Sequence, residues 1–148
     1  MSIKRDGKLE PQTTKRPLAE IEAAVAAFDL SRVANRVKKE CRWLPEKVEE
    51  IERRYRRFLV LAVTSDVIII PTVDIDEFWH RHIIYTEEYD RDCMSAFGFK
   101  LHHHPDYGTE SEEEAALLRE QFRESSRLYF ERFQEVYVLD DDGPGDCG

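Results

Sequence analysis

Residues 45–64 read PEKVEEIERRYRRFLVLAVT. Their reading decides the fold class. Pro45 suits the first turn of a helix, where its missing N–H costs nothing. Val48, Ile51, Tyr55, Phe58 or Leu59, and Ala62 recur at three- and four-residue steps, which is the inward stripe of an amphipathic helix. The intervening Glu and Arg residues make paired charges on the opposite face.

The same period extends on both sides. Upstream, Leu18, Ile21, Val25 and Phe28 form one stripe. Val33, Ala34, Val37 and Cys41 form another behind a capping Ser31, and Leu44-Pro45 breaks the chain before the long helix. Downstream, DVIIIP at residues 66–71 reads as an apolar connector. A buried strand is the alternative, but no second strand pattern exists to pair with it. Asp74 with Glu77 starts a helix expected to run to Ala96 and stop at Gly98. Residues 98–109 hold Gly98, Pro105 and Gly108 and form a loop. Ser111 and Glu114 make a capping box for a last helix to about residue 138, with Leu118, Phe122, Ser125, Tyr129 and Phe133 inward. The expectation is an all-α single domain of about five helices over 18–139. A flexible N-terminal tail of 1–17 and an acidic flexible C-terminal tail of 140–148 flank it.

The chain has 148 residues, with 22 Lys and Arg against 31 Asp and Glu, for a formal charge of −9. That length suits one core. An acidic chain lacks the electrostatic footprint of a nucleic-acid or anionic-membrane binder, so neither is expected as a partner. No apolar run approaches the roughly 20 residues that span a bilayer. The three cysteines, Cys41, Cys93 and Cys147, are too few and too odd for a disulfide framework and read as reduced thiols of a cytoplasmic protein. Tyr129, Phe130, Phe133 and Tyr137 cover more than one narrow stripe, which leaves a protein partner or a homo-oligomer open.

All five histidines lie between positions 80 and 104: His80, His82, His102, His103 and His104. On a regular helix His80 and His82 diverge by about 160° and do not grip one ion. His82 joins the apolar stripe of Trp79, Thr86, Tyr89 and Cys93, where a hydrogen-bonded core role competes with a ligand role. Asp76 and His80 are an i,i+4 pair, so the carboxylate can orient the imidazole from a supporting position. In an extended loop His102 and His104 share a side and His103 takes the other. Cys93 lies about 16 Å along the helix from His82 and meets a histidine only if the loop folds back. Imidazoles with a thiolate or carboxylate suit zinc, or iron(II) where coordination positions stay open.

The stretch Ile75-Asp76-Glu77-Phe78-Trp79-His80, with His82, Thr86, Tyr89, Cys93, Phe97-Gly98, Leu101-His102-His103 and Pro105, resembles the glycine-rich domain-containing protein-like family. The resemblance covers about 31 residues and implies a stand-alone core domain of that family. Its motif falls on Asp76, His80, Cys93, His102 and His103. His82 falls where relatives carry an aromatic residue, and His104 on a variable position. The resemblance names no reaction.

The expectation is therefore a small metal-binding domain. His80, His102, His103 and Cys93 are its candidate ligands, Asp76 and His82 support them, and an enzymatic role is left open. A scaffold module with structural histidines is the alternative. A cysteine-dependent enzyme built on Cys93 is a third reading.

Overall fold

In the computed structural model residues 9–139 are described, and among them there are six α-helices and no strand. The helices are α1 (Leu18–Ala26), α2 (Ser31–Cys41), α3 (Pro45–Thr64), α4 (Val73–Ile84), α5 (Thr86–Phe97) and α6 (Glu112–Phe133). The fold is all-helical and forms one domain. None of the helices is long and apolar enough to cross a membrane.

The long helix α3 is the axis. Its apolar end, Phe58 to Val63, is buried on every side, and α1, α2 and α4 pack around it. The Tyr55 and Phe78 rings are 5.0 Å apart and the Phe58 and Trp79 rings 5.1 Å apart, joining α3 to α4, with Ile51 and Ile75 buried in the same core. The expected helix 74–96 is two helices. Tyr85, at φ −81° and ψ 73°, ends α4 and begins α5, so six helices stand where about five were expected. The Arg32 guanidinium lies 4.5 Å above the Tyr85 ring and covers the break.

Caps account for the boundaries. Thr72, not Asp74, caps α4, its hydroxyl accepting from the Ile75 N–H at 3.2 Å. Asp29 accepts from the Ser31 N–H at 3.1 Å at the start of α2. Ser111 caps α6 as expected, accepting from the Glu114 N–H at 3.0 Å. Gly98 ends α5 in the left-handed region at φ 84°, the conformation glycine adopts without a Cβ penalty. The last helix stops at Phe133, short of residue 138, because Gln134 turns left-handed at φ 52°.

The chain then folds back. Arg54, almost wholly buried, donates to the Val136 and Tyr137 carbonyls at 2.7 and 2.9 Å. The connector through Ile68, Ile69 and Ile70 is buried but not a strand. Its backbone finds side-chain partners instead: the Ile70 N–H donates to Ser125 Oγ at 2.8 Å, and the Ile70 carbonyl accepts from the Tyr137 hydroxyl at 2.7 Å. Pro71 has no N–H to satisfy.

Of the two expected tails, residues 1–8 and 140–148 lie outside the described residues, Cys147 with them. Residues 9–17 lie against the end of α5. Leu9 is buried, the Thr14 N–H donates to the Val63 carbonyl at 2.9 Å, and Thr14 Oγ1 donates to the Phe97 carbonyl at 3.1 Å. Arg16 donates to the Ser95 carbonyl at 2.6 Å. These contacts satisfy carbonyls that the last turn of a helix leaves without partners. Cys93 is a free, buried thiol.

Candidate metal centre

Two segments meet at the histidine cluster. Helix α4 presents Asp76 and His80 one turn apart on a half-exposed face. The loop after α5 returns across that face and inserts His103. Asp76 Oδ1 lies 2.7 Å from His103 Nε2, Asp76 Oδ2 lies 3.2 Å from His80 Nε2, and the two imidazole Nε2 atoms are 3.2 Å apart. Among the described residues these three side chains form the one group of His, Cys, Asp or Glu whose ligand atoms converge, all within 4.8 Å.

That geometry matches the bite of a metal ion. Two nitrogens each about 2.0–2.1 Å from one ion sit roughly 2.9–3.4 Å apart at ordinary coordination angles. Without a cation one Nε2–H donates while the other Nε2 accepts, and the three side chains close a hydrogen-bonded set. A proton on both Nε2 atoms would set two N–H groups head to head at 3.2 Å. A cation lets all three atoms offer lone pairs to one point. Asp76 thus stands among the converging atoms, not behind His80 as a support.

The loop is aimed by four contacts. The Trp79 indole N–H donates to the Tyr89 hydroxyl at 2.9 Å, and that hydroxyl donates to the Leu101 carbonyl at 2.6 Å. Gln12 donates to the Lys100 carbonyl and accepts from the His102 N–H, both at 2.9 Å. The His103 ring then stands edge-on to the Trp79 ring, centroids 4.4 Å apart, with little of its side chain exposed. Gln12 is a positioning residue that the sequence reading did not single out, and Tyr89 was read there only as a stripe and motif residue, without this role.

The other candidates lie elsewhere. His102 offers its backbone to Gln12, and its side chain is outside the cluster. Burial is the main cause that lowers its imidazole below the ordinary value. Cys93 sits in the core, 1% exposed, beside Tyr89 and the Leu101 backbone, and is also outside the cluster. Burial pushes its thiol up. His82 is fully buried and doubly partnered: Nδ1 is 2.7 Å from the Tyr55 hydroxyl and Nε2 is 2.9 Å from Asp92 Oδ2. Burial lowers its pKa, against an opposing pull from Asp92. Its bonds are used within the core, where Asp92 was not anticipated.

A cleft of about 180 Å³ opens beside the centre, with Thr72, Val73, Asp76, Trp79, His103 and Tyr107 in its walls. Two of the three converging side chains, Asp76 and His103, thus face this hollow.

No curated relative and no solved structure matches the chain. The family that does match is not the glycine-rich domain-containing one expected from the Trp-His and His-His spacing, and that expectation is withdrawn. The match runs over residues 21–129, most of the chain and all three converging side chains, and on that ground the chain belongs to the UCP032817-like family.

Proposed function

We propose that the protein holds one divalent transition-metal ion through Asp76, His80 and His103. The observation that carries this is the 3.2 Å approach of the two Nε2 atoms over a shared carboxylate. Two imidazoles and one carboxylate are the donor set of non-haem iron(II) centres with open positions, and equally of hydrolytic zinc centres. When bound, such an ion supplies Lewis acidity or redox chemistry at its open positions. The chain's own part is to fix the donors: Trp79 walls His103, and Tyr89 and Gln12 hold the loop that carries it. The adjoining cleft supports an enzymatic use, while the identity of the ion and the reaction are for experiment.

Elemental analysis of the untagged protein after reconstitution with iron(II) or zinc tests this reading. One equivalent is expected in the natural chain and almost none in His80→Ala or His103→Ala, with helicity kept. Retained metal in both variants overturns the assignment. One observation favours a second reading, a scaffold without metal: the 2.7 Å His103–Asp76 contact alone closes the loop onto α4. A chelator separates the two. If the ion is bound at about a hundredfold its Kd, the linkage is worth about 2.7 kcal/mol. Chelation should then lower Tm by roughly 5–10 °C. An unchanged Tm supports the scaffold.

A further inference from the structure

The cleft at the centre does not end there. Ile70, Pro71, Val73 and Leu118 wall it and also wall a second, larger hollow of about 570 Å³ between the connector and α6. Beyond the shared wall that hollow is lined by Phe122 and Val138, with Arg119 and Arg123 at its rim. The two hollows adjoin along that shared wall, and their linings taken in order trace a groove. It starts at Asp76 and His103, runs over apolar side chains, and ends at two guanidinium groups one helical turn apart on α6. Val73 and Val138 are 45% and 37% exposed along it, so the groove leaves apolar surface open to water. Its size lies in the range of small-molecule sites, which are mostly apolar with a few polar groups fixing orientation. Arg123 shares its charge with Glu120, and Arg119 stands exposed beside it.

We infer that the groove is the binding site of an organic anion with an elongated apolar body, whose anionic end sits at Arg119 and Arg123 and whose far end reaches the metal centre. The inference rests on the metal reading for what happens at that far end. The groove itself stands on its lining alone. Apolar walls offer burial for the body. Arg119 at the rim offers a guanidinium that selects an anion from a neutral molecule of the same shape, and Arg123, shared with Glu120, adds N–H donors beside it.

Decanoate is the probe. Calorimetry with the full chain, free of metal, tests the groove. Saturable binding is expected, weakened about tenfold in Val138→Asp and again in Arg119→Glu. Both sites are exposed, so folding is not at issue. Decanol, which lacks the charge, should bind more weakly than decanoate. The absence of saturable binding, or equal affinity in both variants, overturns the proposal. If a chain shortened after Leu139 binds decanoate while the full chain does not, the acidic segment 140–148 is the occupant, and the proposal falls. The cobalt(II)-loaded protein tests the far end. Decanedioate, whose second carboxylate would lie at the centre, should shift the cobalt absorption bands, and acetate at the same concentration should not. Decanedioate bound in the groove with unchanged bands removes the link to the centre. Failure to take up cobalt overturns the metal reading instead, and the metal-free titration still decides the groove.

Discussion

Residues 102–104 are three consecutive histidines with three different surroundings. His103 joins Asp76 and His80, His102 gives its backbone N–H to Gln12, and His104 helps wall the cleft. The confinement of all five histidines to 80–104 marked the segment that holds two of the three converging groups, and the i,i+4 spacing of Asp76 and His80 placed two of the three. The alternation expected of an extended loop set His103 apart from both neighbours, whereas His103 and His104 line the same cleft. It could not say which side faces α4, because that depends on Gln12, some ninety residues upstream, and on the Tyr89 hydroxyl. Cys93 is the residue where motif and environment part. Its thiol is buried and its pKa pushed up, so thiolate is scarce near neutral pH. Alkylation by iodoacetamide at pH 7.5, followed at the Cys93 peptide by mass spectrometry, should be at least about tenfold slower in the native chain than in urea. Equal rates would mean an accessible, reactive thiol and would revive the cysteine-enzyme reading.

At the scale of elements, periodicity located every helix, while breaks and ends were set by tertiary contacts. The apolar period runs unbroken through Tyr85, so nothing local announces the division of α4 from α5. Arg32 stacked on the Tyr85 ring and the α2–α4 packing impose it. The connector shows the converse. Three isoleucines in a row have strand character, yet a strand needs a partner edge, and the stripe periods elsewhere offered none. Ser125 takes that role from within α6. It is wholly buried, accepts from the Ile70 N–H, and donates to the Gln121 carbonyl at 2.8 Å. Ser125→Ala therefore leaves a buried N–H without a partner, which costs about 1–3 kcal/mol. Urea unfolding should show that loss as a lower midpoint with an unchanged slope. The groove wall formed by Ile70 should loosen with it. A midpoint within error of the natural chain would mean that water reaches Ile70 and that the connector is not held through this bond.

At the scale of the molecule, buried phenols join the helices. Tyr55 links α3 to His82 of α4, Tyr89 links α5 to the loop at Leu101, Tyr129 links α6 to Glu135, and Tyr137 links the last segment to the connector at Ile70. All four are at most 2% exposed. The Tyr55, Tyr89 and Tyr137 hydroxyls satisfy buried partners that would otherwise be costly, while Tyr129 adds to the arginine-paired Glu135. Burial pushes Tyr55 and Tyr89 well above the ordinary phenol value of 10.0, and Tyr129 up to about 12. The sign of the linkage follows. Between the unfolded and folded values the native chain keeps protons that the unfolded chain has lost, so stability holds below about pH 10 and declines above it. Three such groups give a slope of about 4 kcal/mol per pH unit once all are engaged. That slope exhausts a typical domain stability of about 5–15 kcal/mol within a few pH units. Alkaline titration should therefore show the phenolate absorbance of these three tyrosines rising together with loss of helical circular dichroism, in one cooperative step above pH 10. A gradual titration of all six tyrosines at the ordinary phenol value, with the dichroism intact, would show that water already reaches these hydroxyls. The helices would then be joined by apolar packing alone.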